Sequence, residues 1–315
     1  MHAAANNLRG GVSPRNTRLR GQSIIEYVLI IAVISLVVVF AGPGVAGAIR
    51  NQLNQVTNTV DAGTDGDNFM SAEEKAYREA MKTVVSKEAK DWTLDEQKAA
   101  ATDIAKNGTS SVVYAKAKAA MDAGVTWRVQ LTNGKGMTYR IIGINHDDLA
   151  DGSGKAGLTF WAIYSIGKYQ FNSSNTNVGG WEMSELRAKM NTGEIWNLLP
   201  NDFQSKVNPV KKITNNVSGK NWQDVSATID RLFLPSITEL IGSTKMADQG
   251  YQYESLNSIS AESAFLNPAS WLRSTGVNTY SDVHFSVYDL KSRSAIEYWT
   301  AAASSLNSIY PAFCF

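Results

Sequence analysis

The sequence contains almost no cysteine and very little histidine. Cys314 is the only cysteine in 315 residues, so an intrachain disulfide is excluded and an exported fold must be held by its core. The three histidines are His2, His146 and His284, too few for a histidine-rich metal site. The formal net charge is only +1, and this balance gives no indication of a nucleic-acid partner.

One long stretch, residues 27–48, lacks any charged side chain. As a helix its 22 residues would measure about 33 Å, and a membrane hydrocarbon core is about 30 Å thick. Glu26 stands at its start, where a carboxylate next to lipid is costly unless it is paired. Residues 1–21 contain no acid but carry Arg9, Arg15, Arg18 and Arg20. This pattern predicts a membrane helix with a cytoplasmic basic flank and the rest of the chain outside.

The residues around the start of this stretch carry a family resemblance. Gly21 is followed by Gln-Ser-Ile-Ile and then by Glu26 and Tyr27. This resembles the class III leader of type IV pilins, most closely the Flp or Tad subclass. The resemblance implies that a membrane prepilin peptidase cuts between Gly21 and Gln22 and leaves the apolar helix attached. Glu26 and Tyr27 would then serve assembly, because the new amino group at Gln22 can pair with Glu26 of a neighbouring subunit.

Two other interpretations of the N-terminus stay open. Ala46-Gly47-Ala48 resembles the small-residue cleavage site of an ordinary secretory signal peptide, which would release a protein that starts near Ile49. Against this interpretation, Glu26 opens the apolar region, and that region is longer than the usual 7 to 15 or so residues. The third interpretation is an anchor that is not cleaved.

An acidic stretch, residues 61–74, resembles half of an EF-hand loop, with Asp65, Asp67 and Glu74 as candidate calcium ligands. Two positions of that loop depart from the pattern, namely Gly63 and Asn68. The interpretation that we favour is an acidic loop in which Ser71 caps a helix and Glu74 completes a capping box. We therefore expect no cofactor, with calcium as the alternative.

The composition changes twice along the chain, and these changes suggest the domain boundaries. Residues 72–123 are rich in Ala, Lys and Glu and lack proline, and Thr93 with Glu96 marks a helix start within them. From Trp127 onward apolar and polar residues alternate, and Asn133-Gly134 predicts a hairpin turn. The expected domains are a basic leader (1–21), a hydrophobic pilin helix (22–60), a helical linker (61–125) and a head (126–315).

The head is expected to be an α+β domain. Strands are predicted at 158–166, 231–234 and 285–290, and helices at 182–190 and after Ser236, where Glu239 completes a capping box. The expected fold class is thus α+β, with a long N-terminal membrane or filament helix, a helical linker and a globular head. The aromatic and arginine spacing is weakly similar to that of C-type-lectin-like folds, and no ligand site is transferred from them.

A second resemblance covers most of the head. Its residues are 144–160; Trp181, Ser184, Leu186 and Arg187; 232–234, Ser236 and Glu239; 271–274; and 310–313. Together they resemble a family of bacterial extracytoplasmic domains with no assigned activity, so this resemblance implies no mechanism.

The loop around Gly152-Ser153-Gly154-Lys155 is a candidate for chemistry. A phosphate-binding loop is excluded because Leu149 and Ala156 stand where glycine and a hydroxyl residue are needed. The favoured interpretation is a tight loop, with its glycines at positive φ and its acids bound to local amides. The alternative is a cation held by Asp147, Asp148 and Asp151. We expect a structural role for His146, which lacks a nucleophile motif nearby.

The head also holds most of the tryptophans. We expect a mainly buried position for six of them, with one or two left exposed as a platform for sugar stacking. The six are Trp161, Trp181, Trp196, Trp222, Trp271 and Trp299.

Together these patterns predict a pilin-like subunit, minor, tip or decorating, of a type IV Flp/Tad-like pilus. We expect no enzymatic activity, and a head that serves adhesion or surface interaction. The expected partners are prepilin peptidase, other pilin subunits, the membrane before assembly, and a surface receptor or glycan. The expected location is the cytoplasmic membrane and then the surface pilus. The alternative is a secreted or membrane-anchored lectin-like binding protein outside any filament.

Overall fold

Three helices open the part of the chain that the computed structural model describes, which is 71–215, 225–242, 249–256, 270–275, 284–288 and 299–315. They are α1 (Ala72–Val84), α2 (Leu94–Asn107) and α3 (Tyr114–Asp122). The predicted start of α2 is confirmed, because Thr93 and Glu96 form a complete capping box. Gly108 caps the C-terminus of α2, and its φ of +56° lies in a region that favours glycine.

A four-stranded antiparallel sheet follows, with the strand order β1-β2-β3-β11. Its strands are β1 (Thr126–Gln130), β2 (Gly136–Ile144), β3 (Leu158–Ala162) and β11 (Ala312–Cys314). The hairpin predicted at Asn133-Gly134 is confirmed, since β1 and β2 pair in register from Thr126 opposite Arg140 to Gln130 opposite Gly136. Strand β11 pairs with β3, so the end of this chain lies at the edge of the first sheet.

Two further sheets complete the described fold. The five-stranded sheet has the order β4-β10-β7-β8-β9, and β5 pairs antiparallel with β6 in a two-stranded sheet. The strands are β4 (Gly167–Tyr169), β5 (Val210–Asn215), β6 (Val225–Asp230), β7 (Ser270–Thr275), β8 (His284–Tyr288), β9 (Trp299–Ala302) and β10 (Asn307–Ile309). Predicted strand 285–290 corresponds to β8, whereas 231–234 is not a strand and makes only an isolated bridge from Phe233 to Ala312.

Short helices connect the sheets. They are α4 (Gly180–Met183), α5 (Glu185–Asn191), α6 (Asn201–Lys206) and α7 (Ile237–Ile241), with 3-10 turns at Ala89–Asp91, Gly108–Ser110, Trp196–Leu198 and Glu254–Leu256. The helix predicted at 182–190 is divided at Ser184, which caps α5 by accepting a hydrogen bond from the amide of Arg187. The predicted cap of α7 is confirmed as a full capping box between Ser236 and Glu239.

The core is aromatic where the first sheet meets the helices. Tyr139, Phe160, Phe203, Phe313 and Phe315 are all buried, and their ring centroids lie 4.9 to 5.8 Å apart in edge-on, tilted and stacked pairs. Each ring removes a large apolar area from water, and the pair geometries add to this stabilisation. The core thus holds together without a disulfide, and Cys314 is a free, buried thiol.

The structure corrects the expected fold class. Within the described ranges no helix is long and apolar enough to cross a membrane, and the predicted long N-terminal helix is not seen. Residues 22–60, to which it was assigned, lie outside the described residues. What the structure describes is a mixed α/β globular domain, in which Glu73–Phe315 form one compact unit.

The helices at 72–122 are part of that unit rather than a separate linker. Ala99, Ala100 and Ile104 of α2 are buried in the same core as the sheets. Trp127 Nε1 of β1 donates a hydrogen bond to the carbonyl of Ala89, and Tyr139 Oη of β2 donates one to Gln97 Oε1 at 3.0 Å. The small side chains of alanine let these helices approach the sheet closely.

Candidate functional site: a buried charged cluster

Four charged side chains meet in the interior of the domain, and we call them the buried charged cluster: Asp147, Lys212, Glu239 and Arg273. Each side chain is exposed by 3% or less. They come from the loop after β2, from β5, from α7 and from β7. With two acids and two bases, the cluster is balanced in charge, which buried ionised groups require.

Lys212 reaches the interior because of its position in β5. Successive side chains of a strand point to opposite faces, so Val210, Lys212 and Thr214 are buried on one face while Lys211 is exposed on the other. Lys212 Nζ contacts Asp147 Oδ1 and lies 2.6 Å from Glu239 Oε1. It also lies 4.2 Å from the centre of the Phe233 ring, in cation–π geometry.

Arg273 uses its whole guanidinium group in the cluster. Nη2 donates to Glu239 Oε1 at 2.8 Å while Nη1 donates to Glu239 Oε2, which makes a bidentate pair. The remaining donors bind the carbonyls of Leu234, Ile213 and Gln249 and the hydroxyl of Thr214. Glu239 also accepts the amide hydrogen of Ser236, so one carboxylate caps α7 and binds two cations.

The carboxylate of Asp147 is surrounded by hydrogen-bond donors. Thr159 Oγ1 donates to Oδ2 at 2.6 Å, and Tyr253 Oη lies 3.2 Å from both carboxylate oxygens. The thiol of Cys314 lies 3.6 Å from Oδ2 and 3.4 Å from Thr159 Oγ1. The aspartate is therefore fixed from three directions besides Lys212.

His146 lies at the edge of the cluster. Its side chain is 16% exposed, and its ring is 4.1 Å from the ring of Tyr253. Nε2 lies 3.0 Å from the carbonyl oxygen of Tyr251, so it carries the proton of that hydrogen bond. Nδ1 faces Asp147 Oδ1 at 3.4 Å. His146 thus connects the buried carboxylate with the surface.

The electrostatics of the cluster keep all four groups ionised. Burial by itself raises the pKa of Asp147 and of Glu239. Lys212 and His146 outweigh burial at Asp147, and Arg273 and Lys212 outweigh it at Glu239, so the pKa of both acids is lowered. Burial by itself lowers the pKa of Lys212 and of Arg273, and the neighbouring carboxylates more than reverse this. Burial also raises the pKa of the Tyr253 hydroxyl and of the Cys314 thiol, so both stay protonated.

A second buried acid fixes the helices α4 and α5 against β6. Asp230, which is fully buried, accepts a hydrogen bond from Trp181 Nε1 at 2.9 Å and one from Thr228 Oγ1 at 2.7 Å. Arg187 Nε donates to its other oxygen at 2.6 Å. The Trp181, Ser184 and Arg187 pattern noted in the sequence therefore has a structural role.

Most of the residues predicted for processing and calcium binding lie outside the described residues. They are Gly21, Gln22, Glu26, Tyr27, Asp65 and Asp67. Glu74 is described on α1, where it forms an exposed ion pair with Arg78 at 3.3 Å. Glu74 is thus the one member of this set that lies in the part of the chain that the structure describes.

The alternative interpretation, a cation held by Asp147, Asp148 and Asp151, does not fit the structure, because the three carboxylates point to different partners. Asp147 faces Lys212 in the interior, and Asp148 pairs with Lys155 at 2.8 Å at the surface. Asp151 accepts hydrogen bonds from the amide and hydroxyl of Ser153. Among the described residues no group of three His, Cys, Asp or Glu side chains could hold a metal ion. The tight-loop interpretation is confirmed, with Gly152 and Gly154 at φ of +73° and +138°.

The described tryptophans of the head are mostly buried, as predicted. Trp161, Trp181 and Trp271 are exposed by 7% or less, and Trp196 is half-buried. Trp222 lies outside the described residues. The large aromatic side chains that are exposed in the described ranges are instead Tyr164 and Tyr251, at 59% and 76%. Trp161, Trp181 and Trp271 are therefore not the exposed tryptophans that a sugar-stacking platform requires.

The sequence does not predict that the four residues of the buried charged cluster meet at one place. Glu239 was predicted only as a helix cap, and Arg273 only as part of a family pattern. The stretch Val-Lys-Lys-Ile-Thr of β5 could have indicated a buried lysine. Side chains two positions apart lie on the same face of a strand, so Lys212 shares the buried face of Val210. A lysine on a buried face requires an anionic partner, but the sequence does not identify Asp147, which is 65 residues away.

Comparison with known proteins adds one family. Residues 159–315 match the model of a family described as "Domain of unknown function (DUF6273)". This range includes Lys212, Glu239 and Arg273 of the cluster but not Asp147. Searches among curated proteins and among solved structures gave no match.

Proposed function

We propose that this chain is a pilin-like subunit that is processed after Gly21 and displays its globular domain at the cell surface. The observation that carries the proposal is the sequence Gly-Gln-Ser-Ile-Ile-Glu-Tyr at residues 21–27, between an acid-free basic segment and 22 uncharged residues. These features match the class III leader of Flp/Tad-like type IV pilins. Prepilin peptidase and other pilin subunits are the partners that follow from it.

The globular domain favours a minor, tip or decorating subunit over a major one. Flp-type subunits are often little more than the N-terminal segment, and this chain adds a compact unit that extends from Glu73 to Phe315. A domain of this size enlarges the diameter of any fibre in which every subunit carries it. The role that fits is adhesion or surface interaction through a receptor or glycan.

The domain also supports a binding role rather than catalysis. The charged groups at its centre are ionised, paired and closed to solvent, so a substrate has no access to them. Tyr164 and Tyr251 provide exposed aromatic surface of the kind that stacks on sugars. A surface ligand would contact such residues and leave the cluster as the internal support.

The decisive experiment is the sequence of the mature N-terminus, determined by mass spectrometry of the exported protein. Gln22 as the first residue supports the pilin, since only the prepilin type of cleavage starts the mature chain there, whereas an anchor that is not cleaved keeps residues 1–21. Ile49 as the first residue overturns the proposal. It would instead support the alternative, a secreted lectin-like binding protein, which the small residues Ala46-Gly47-Ala48 favour.

A second experiment tests assembly. Glu26→Ala should be cut normally but should not appear in sheared surface fibres, because the amino group of Gln22 then lacks its partner. Ser23→Ala is the matched control, since it changes a neighbouring residue without removing a charge. A Glu26→Ala protein that enters fibres at the normal level contradicts the proposed pairing.

A further inference from the structure

Lys212 lies between two carboxyl groups in a part of the interior that is closed to water. Its Nζ contacts Asp147 Oδ1 and is 2.6 Å from Glu239 Oε1, and the three side chains are exposed by only 2% to 3%. Amide formation requires an amine next to a carboxyl group and a second group that can move protons. Lys212, Asp147 and Glu239 supply these three groups. Because the fold holds the amine and the carboxyl group next to each other, their reaction is intramolecular and needs no diffusional encounter.

We propose that Lys212 and Asp147 condense into an intramolecular isopeptide bond, with Glu239 as the carrier of protons. A bond forms between Lys212 Nζ and Asp147 Cγ, and the bond between Cγ and Oδ1 breaks. Of the three ammonium protons, one stays on the amide nitrogen and two leave with the departing oxygen as water. The reaction consumes a paired ammonium and carboxylate, so atoms and charge balance without an oxidant, a reductant or a cofactor.

The surroundings of Asp147 fit each part of this reaction. Thr159 Oγ1 and Tyr253 Oη donate toward Oδ2, where negative charge develops when the nitrogen attacks Cγ. Glu239 Oε1 is close enough to accept a proton from Nζ and to pass it on. The departing oxygen, Oδ1, is the one that faces His146 Nδ1 at 3.4 Å. Because His146 is partly exposed, the departing oxygen faces the side of the cluster that is nearest to solvent.

The energetics of burial favour the condensed state. In the unreacted state Asp147 and Lys212 are an ion pair, and the reactive form is the small fraction in which the nitrogen has lost a proton. Slow chemistry suffices, because each molecule has to react only once. Condensation replaces two buried charges by a neutral amide, which removes their desolvation cost. Glu239 and Arg273 stay behind as a balanced, bidentate pair.

The bond would link two elements that are far apart in the sequence. Asp147 follows β2 and Lys212 lies in β5, and 65 residues separate them. A covalent link between them restricts the unfolded chain as a disulfide does. The sequence cannot form a disulfide, since Cys314 is its only cysteine. This inference is independent of the proposed function, because it concerns only the interior of the domain.

Peptide mass spectrometry of the purified full chain tests the proposal. After digestion under denaturing conditions we expect a branched peptide that joins the Asp147 and Lys212 segments and lacks the mass of one water. Loss of water from the whole protein is not sufficient, because the sequence Asp151-Gly152 can lose water by forming a succinimide. Unlinked Asp147 and Lys212 peptides at full mass in the folded wild-type protein overturn the proposal.

Variants then assign the roles. Lys212→Arg keeps the charge but cannot condense, so it should abolish the branched peptide, whereas Lys211→Arg, at the exposed neighbouring position, should leave it at the wild-type level. Glu239→Gln should lower the linked fraction at early times after synthesis if Glu239 carries protons. An unchanged time course in a folded Glu239→Gln protein contradicts the role of Glu239. The wild-type measurement decides the existence of the bond even if a variant does not fold.

Discussion

Arg273 of β7 and Glu239 of α7 form a bidentate pair that is closed to solvent on every side, with side-chain exposures of 0% and 2%. The same guanidinium group binds the carbonyls of Leu234, Ile213 and Gln249. The pair therefore joins β7, α7 and β5 at the centre of the domain. Because neither charge can reach water, removal of one partner leaves the buried charged cluster with one uncompensated charge.

We predict that Arg273→Met lowers the free energy of unfolding by about 3 to 5 kcal/mol, the usual cost of breaking a buried ion pair. The double variant Arg273→Met with Glu239→Gln should recover part of this loss, because the remaining Asp147 and Lys212 are again balanced. Urea unfolding followed by tryptophan fluorescence measures both values.

The matched control is Arg78→Met, which removes an exposed ion pair with Glu74 and should cost about 1 kcal/mol or less. Equal losses in Arg273→Met and Arg78→Met would show that the cluster does not stabilise the fold. A double variant that loses the sum of both single effects would show that the two residues are not coupled.

A second prediction concerns the contact between α2 and the start of β3. A Cβ placed on Gly157 would lie 1.8 Å from the carbonyl oxygen of Ala101, a backbone atom that cannot move without shifting α2. Gly157→Ala should therefore cost about 3 kcal/mol or more, the upper end of the range for overpacking. Gly134→Ala is the comparison, since its Cβ meets nothing within 4 Å and only its positive φ of +80° adds strain, about 1 to 2 kcal/mol. A smaller loss at Gly157 than at Gly134 would contradict the close approach of α2 to the sheet.

The third prediction follows from the shared core of helices and sheets. A fragment of residues 126–315 should fail to unfold cooperatively, because it lacks Ala89 and Gln97, the hydrogen-bond partners of Trp127 and Tyr139. A fragment of residues 71–315 should unfold in one transition. Near-ultraviolet circular dichroism and urea titration distinguish the two fragments. Equal transition midpoints would show that 126–315 is an independent domain, as the sequence suggested.

These comparisons show which features the sequence could predict. The β1–β2 hairpin and the capping boxes at Thr93 and Ser236 depend on residues within a few positions of each other, so their patterns are visible locally. The cluster depends on contacts of Asp147 with residues that lie 65 or more positions away in the sequence. These are Lys212, Tyr253 and Cys314. No local pattern specifies such contacts.

The burial of the helices α1 to α3 in the core of the sheets could not be predicted from the sequence, for a different reason. Their composition is rich in alanine, lysine and glutamate, and three of the seven buried residues of α2 are Ala99, Ala100 and Ala101. Alanine contributes little to a periodic hydrophobic signal but allows a close helix–sheet distance, as at Ala101 and Gly157.

The fourth prediction concerns Glu96, the buried acid at the start of α2. Burial by itself raises its pKa, but hydrogen bonds from Lys87, from the hydroxyl of Thr83 and from the amide of Thr93 lower the pKa from 4.5 to about 2. Between these two values the unfolded chain binds the proton and the folded chain does not. The contribution of Glu96 to stability is therefore fully present above pH 4.5 and is lost as the pH falls toward about 2.

We expect that Glu96→Gln reduces the stability at neutral pH and has less effect near pH 2, so that its curve of unfolding free energy against pH is flatter than that of the wild type. Other acids with lowered pKa, such as Glu239, contribute to both curves and cancel in the difference. Thr83→Val should give an intermediate curve, because it removes one of the hydrogen bonds that lower the pKa. If the two curves of unfolding free energy against pH run parallel between pH 4.5 and about 2, the prediction is contradicted. The carboxylate of Glu96 would then have the same proton affinity in the folded and the unfolded chain.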